Sequence, residues 1–142
     1  MTTETALARL INFFENVSPK NVDTVLSLYS GNAYFKDPFN EVSGHAAIVA
    51  IFRHMFSQVD NPRFLIKRSI VQEDDAFLVW DFQFQMKGTV KQQSIHGSSH
   101  LHFNEDKKID YHRDYWDAAE ELYEKIPVLG SLMRLLKCKV RR

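Results

Sequence analysis

At 142 residues, 44% hydrophobic and 25% charged, the chain has the size and composition of one globular domain able to bury its own core. Eighteen basic residues balance eighteen acidic ones, which leaves no net field to gather nucleic acid or an anionic membrane surface. A single cysteine, Cys138, excludes an internal disulfide. Residues 1–4 lack a basic-then-apolar export pattern, and no apolar run reaches the roughly 18 residues of a membrane span, so a cytoplasmic protein is expected.

Leu7, Leu10, Ile11 and Phe14 recur at helical spacing and predict a first helix ending near Val17. Ser18 as cap, Pro19 at the first position, Val22, Val25, Leu26 and Tyr29 on one stripe, and Gly31 as stop predict a second. An extended piece follows over residues 33–39, where Pro38 biases Asp37 towards extended backbone. A third helix is predicted with Ser43 as its cap, a buried stripe of Ile48, Phe52, Met55, Phe56 and Val59, and an end at Asn61-Pro62.

The period then changes. Residues 63–72, 76–87, 95–103 and 108–116 read as four strands, separated by turn-prone Glu73-Asp74-Asp75, Lys87-Gly88 and Asn104-Glu105-Asp106-Lys107. In the second strand Leu78, Trp80, Phe82, Phe84 and Met86 alternate with Asp81, Gln83 and Gln85, so one sheet face is apolar and the other wet. Helices gathered on one face of a curved antiparallel sheet give an α+β fold, a cone around a hollow. The eleven phenylalanines point to an aromatic lining for it. A domain of residues 1–126 is followed by an extension, 127–142, whose Leu129, Leu132, Met133, Leu135 and Leu136 lie beside Lys137, Lys139, Arg141 and Arg142. This amphipathic piece reads as a pocket lid, a dimer-packing helix or, as the only membrane contact expected, a membrane-surface helix.

The string AYFKDPFNEVSGHAAIVAIFRHMF, residues 33–56, resembles the segment of ketosteroid isomerases that carries their catalytic base, and the matching residue is Asp37. Downstream, KIDYHRDYWDAAEEL resembles the last strand and following helix of limonene epoxide hydrolases and SnoaL-like proteins, whose catalytic Asp falls at Asp114. Over residues 5–125 the chain is therefore similar to the nuclear transport factor two-like superfamily, and the resemblance implies its cone fold, a small-molecule pocket and a homodimer through the convex sheet face. It does not carry over a complete site. The isomerase oxyanion hole would fall on Phe13, which cannot donate, and Ser99, a weaker donor than a protonated carboxyl. The epoxide hydrolases' Arg and Asp on a middle strand are not reproduced by Asp81 and Gln83.

Pairing the last two strands through a four-residue loop sets Phe103 opposite Lys108, Leu101 opposite Asp110, Ser99 opposite His112 and Gly97 opposite Asp114. Because paired residues share a face and Leu101 and Phe103 should face the helices, Ser99, His112, Asp114 and Trp116 turn inward with them. The expected catalytic set is Asp37 as base, His112 as acid or donor, and Asp114 orienting the imidazole or a water. The expected lining is Phe13, Phe35, Phe52, Phe56, Trp80, Phe82, Phe84, Ser99, Leu101, Phe103 and Trp116. Apolar walls would raise a carboxyl pKa towards useful acid–base strength. Asp37 also fits a plain turn former, and Asp114 a rim partner of Arg113 or Arg53.

His96, His100 and His102 alternate onto the wet face, where surface or dimer-interface roles outweigh a metal site. No Gly-rich phosphate loop is present, so no organic cofactor is implied. Two functions fit: an isomerase, cyclase or hydrolase acting on an apolar substrate, or a non-catalytic ligand-binding or dimerisation module. A lipid carrier using the basic tail is a third.

Overall fold

The computed structural model describes residues 1–121. Helix α1, Thr3–Asn16, starts where the Thr2 hydroxyl accepts the Thr5 amide at 3.1 Å, an N-cap that contributes about 1 kcal/mol. It buries Leu7, Leu10, Phe13 and Phe14, while Ile11 stays half-buried, so the apolar stripe is rotated slightly from the one predicted.

The second helix is far shorter than expected. Ser18 closes a turn instead of capping a helix, its amide donating to Asn21 Oδ1 at 2.8 Å. Only a 3₁₀ turn, Val22–Thr24, and one turn of α2, Val25–Leu28, are helical. Leu26 is exposed, and Tyr29 and Gly31 belong to strand β1, Tyr29–Lys36. β-branched Val22, Thr24 and Val25 weaken the helix, and Tyr29 pairs with Ile109 in the sheet. Beyond the Asp37–Asn40 loop a short strand absent from the sequence reading, β2 (Glu41–Ser43), pairs back antiparallel with β1.

Helix α3, His45–Gln58, is preceded not by a Ser43 cap but by Gly44 at φ 95°, a conformation that favours glycine. Nor do Asn61 and Pro62 end it. The chain passes directly at Val59 into β3, Val59–Gln72, and Asn61-Pro62 occupy a bulge in that strand. β3 lies at the sheet edge, where a proline without an N–H is tolerated.

Strands β4 (Asp75–Met86), β5 (Gln92–Phe103) and β6 (Ile109–Tyr115) complete a six-stranded sheet of order β2-β1-β6-β5-β4-β3. All neighbours are antiparallel except β1 and β6, so the sheet is mixed where an antiparallel one was expected. A parallel pair needs a long crossover, here everything from β2 to β5. The architecture is the expected α+β one, with the helices against the apolar sheet face. Leu78, Trp80, Phe82 and Phe84 are buried there, although Met86 at the strand end is exposed. A short α4, Ala118–Glu121, follows.

The β5–β6 register differs from the predicted one. Ser99 lies opposite Asp114 and Leu101 opposite His112, while Phe103 meets Ile109 across an irregularity at His102. Lys107 at φ 58° and Asn104 Oδ1, which accepts the Asp106 and Lys108 amides at 3.0 Å each, build the irregular loop. The shift along most of the pair is two residues, so parity and therefore facing are preserved. Among the described residues no helix is long and apolar enough to cross a membrane. The predicted helical tail, with its lid, packing and membrane alternatives, lies outside the described residues.

Candidate active site

Between α3 and the concave sheet face lies a cavity of about 520 Å³. Helix α3 supplies Ala47, Ala50, Ile51 and His54, a stripe beside the one it buries, and the small alanines leave room. Phe14 of α1, Phe35 of β1, Phe64 and Ile66 of β3, and Trp80 and Phe82 of β4 give the apolar wall. Trp80 reaches it over Gly97, where an added Cβ would come within 2.6 Å of the indole. Ser99, His112, Asp114 and Trp116 come from β5, β6 and the residues just after, and Asp37 and Asn40 from the β1–β2 loop.

The polar groups are ordered into one chain of hydrogen bonds. The Tyr29 hydroxyl lies 2.7 Å from His112 Nδ1, and His112 Nε2 lies 2.6 Å from Asp114 Oδ1. From the other side the Ser99 hydroxyl donates to the same Oδ1 at 2.6 Å and accepts from Trp80 Nε1 at 2.9 Å. A carboxylate only accepts, which places a proton on Nε2. Tyr29 is buried and, among the described residues, the imidazole is the one acceptor its hydroxyl meets, so the bond is satisfied when its O–H donates to Nδ1. All of these bonds are satisfied together by an Nε2–H imidazole set between the Tyr29 hydroxyl and the Asp114 carboxylate. Burial, and after it the charge of Asp114, push the Tyr29 hydroxyl well above the ordinary tyrosine range, so it remains a donor.

Packing fixes the imidazole as firmly as its bonds do. His112 stacks on Tyr29 and meets the edge or face of Phe35 and Phe14, with ring centres 4.8–5.9 Å apart. His45, the first residue of α3, bonds the Tyr29 carbonyl at 2.7 Å and ties helix and strand together. Both hydrogen bonds to Asp114 end on Oδ1. Among the described residues nothing donates to Oδ2 of this cavity-lining residue.

Asp37 behaves differently. Its Oδ1 accepts the Phe39 and Asn40 amides at 2.8 and 2.7 Å, and the Asn40 side chain bonds both carboxylate oxygens. It is an Asx-turn former at the cavity rim, where the turn occupies the oxygens a base would use. The rim pairings considered for Asp114 are not made: Arg53 pairs with Asp23 at 3.0 Å, and Arg113 lies over the Tyr115 ring.

Of the expected lining, Phe35, Phe52, Trp80, Phe82, Ser99 and Trp116 reach the cavity. Phe13, Phe84, Leu101 and Phe103 are core residues outside it, and Phe56 is half-buried on α3 away from it. Alternation told these residues which side to face but not how far along the strand the helices close over them. Tyr29 was missed because helical spacing assigned it to a helix. His54, Ala47 and Ala50 were missed because the hollow adjoins the core stripe of α3 and is not its continuation.

On the outer face each strand histidine has its own carboxylate. His96 pairs with Asp81 at 2.7 Å, His100 with Asp75 at 2.8 Å and His102 with Asp110 at 2.7 Å. The hydrogen bond from His96 holds Asp81 below the usual carboxylate range, and that to Asp110 pushes His102 up. These are separate pairs. Among the described residues no cluster of three or more such side chains is placed to hold a metal ion.

Solved structures share this fold. A ketosteroid isomerase-like protein from Catenulispora acidiphila, determined with trimethylamine, superposes with TM-score 0.72 at 14% identity, over 86% of this chain and 92% of that one. An NTF2-like protein from an Exiguobacterium species gives 0.69 at 21%, over 79% and 98%. An LEH-like epoxide hydrolase from M. tuberculosis gives 0.68 at 16%, over 99% and 96%. At such identities the likeness is one of fold. No curated protein matches the sequence. The SnoaL-like domain model matches residues 10–112, most of the sheet and two of the helices that wall the cavity, and the chain belongs to the SnoaL-like domain family.

Proposed function

We propose that the protein is an isomerase, cyclase or hydrolase that moves a proton on a small, largely apolar molecule, with Asp114 as the base. The observation that carries this reading is the buried chain Tyr29–His112–Asp114–Ser99–Trp80, which spends every protein hydrogen bond on Oδ1 of a carboxylate in an apolar cavity. Such a carboxylate is oriented before substrate arrives, and its Oδ2 is left to take a proton from carbon or from water. His112 and Ser99 hold Oδ1 in place while Oδ2 takes and returns the proton. Asp37, the base implied by resemblance, is committed to its turn and acts at the rim.

A second reading, ligand binding without chemistry, draws on a different observation. Phe13 is in the core, and the Ser99 hydroxyl donates to Asp114, so neither supplies an oxyanion donor to the cavity.

Native mass spectrometry of the purified full-length chain, followed by extraction, would identify a bound compound for a turnover assay. The enzyme reading expects Asp114→Asn, which can keep both hydrogen bonds to Oδ1, to lower kcat at saturating substrate by about 100-fold or more. Asp37→Asn should stay within about threefold, because Asn Oδ1 can serve the same turn. An unchanged kcat in Asp114→Asn removes it as base. Ligand-dependent stabilisation with no chemical change identifies a binding module.

A further inference from the structure

The charge inventory of the cavity is one-sided. Among the described residues that line it are two carboxylates, Asp37 and Asp114, and no lysine or arginine. The two lie side by side at the carboxyl ends of the parallel strands, each one residue beyond the registered pair Lys36–Arg113. The two nitrogens of His112 are engaged by Tyr29 and Asp114, so the imidazole offers no free N–H to a ligand. Lys36 and Arg113 lie outside the cavity, in a shallower depression at its rim that Asp37 and Asp114 also border, where Lys36 pairs with Glu41 and Arg113 lies over Tyr115.

Aromatic side chains line the cavity around this negative end. Trp80 reaches Asp114 through the Ser99 hydroxyl, Phe35 packs on the imidazole bonded to Asp114, and Trp116 lines the cavity two residues further along the chain. A carboxylate in an aromatic-lined cavity attracts a weakly hydrated organic cation by Coulomb attraction, and any lining ring that presents its face to the cation adds its quadrupole. The same setting opposes a carboxylate, sulfate or phosphate ligand, which would meet like charge with no lysine or arginine among the described lining residues to offset it inside the cavity.

We propose that this cavity selects an organic ammonium, a hydrophobic amine that is protonated or quaternary, and seats its cationic nitrogen beside Asp114. This rests on the cavity and the anionic Asp114 invoked above for proton transfer, and it adds the charge class of the substrate. The cation neutralises the carboxylate in the bound state and leaves the apolar remainder of the ligand to the Phe14, Phe64 and Phe82 wall.

The test uses the full chain and three probes that share one ring system: 1-naphthylmethyl-trimethylammonium, neutral 1-naphthylmethanol and anionic 1-naphthylacetate. Binding is measured by isothermal titration calorimetry on wild type, Asp114→Asn and Asp37→Asn. The ammonium should bind wild type at least about tenfold more tightly than the acetate. Asp114→Asn should weaken the ammonium about tenfold, leave the alcohol unchanged and strengthen the acetate. Asp37→Asn, one charge further out, should weaken the ammonium about threefold, a readout that survives if Asp114→Asn does not fold.

Ammonium affinity indifferent to both substitutions, or a preference for the alcohol or the acetate, overturns the charge assignment and leaves proton transfer standing. Failure of all three probes to bind overturns the charge assignment together with the cavity. A cation preference that disappears in Asp114→Asn, beside turnover that survives the same substitution, supports the charge assignment and sinks only the proton-transfer reading.

Discussion

Removing one oxygen from Tyr29 separates the two duties of the buried hydrogen-bond chain. In Tyr29→Phe the ring still stacks on His112, but Nδ1 loses its donor inside the protein. The expected cost is about 1–3 kcal/mol of unfolding free energy, read from urea denaturation. Nitrogen-15 chemical shifts should report a single Nε2–H tautomer of His112 in the wild type and a mixture in the variant. A wild-type imidazole protonated at both nitrogens at neutral pH would contradict the assigned network. At this scale the sequence was legible where a residue's facing follows from strand parity: Ser99, His112 and Asp114 turn inward as their alternation requires. At Asp37 a family motif and local turn chemistry point to different roles, and both were readable from the residues. Asp-Pro-Phe-Asn is a self-contained turn, and the hydrogen bonds to Phe39 and Asn40 follow it.

At the scale of elements, the β5–β6 hairpin carries a titratable pair across its irregular end, His102 with Asp110. The hydrogen bond to Asp110 raises the folded-state pKa of His102 above its ordinary value, with burial opposing more weakly. A raised folded-state value gives a contribution that is fully present below the unfolded pKa and is lost as pH rises through the folded one. Both side chains are more than a third exposed, so the effect is modest. Urea midpoints of wild type and Asp110→Asn from about pH 5 to about pH 9 should therefore differ most at the acid end and converge at the alkaline end. A gap that widens with pH would reverse the assignment. The element-level errors of the sequence reading share one cause. Gly31 and Asn61-Pro62 look like helix stops and Tyr29 like a helical residue by local pattern, yet Tyr29 pairs with Ile109 in the sheet, and Gly31 and Asn61-Pro62 sit at register irregularities within β1 and β3. Propensities of a few tenths of a kcal/mol do not compete with a ladder of sheet hydrogen bonds.

For the whole molecule, the outer sheet face exposes Ile70 and Phe77, with Phe77 stacked on His100 and His100 against Tyr111. The expected homodimer through this convex face carries its own test. Sedimentation equilibrium should give twice the chain mass for wild type and a shift towards monomer for Phe77→Glu, which would bury a charge in the interface. A wild-type monomer at micromolar concentration would dispose of the expectation.

What the sequence determined by itself was the α+β class, the order of most elements, the apolar face of the sheet and the inward set on its last two strands. All of these follow from period and parity, which are local properties of the chain. What only the tertiary structure decided was the parallel β1–β6 pair, which brings Tyr29 to His112 and Asp37 beside Asp114 from far apart in sequence. The extent of the hollow was decided there too, because α3 closes over Trp80 and Phe82 but leaves Phe84, Leu101 and Phe103 in the core. Those outcomes depend on where distant segments meet, and no spacing within a single segment encodes that distance.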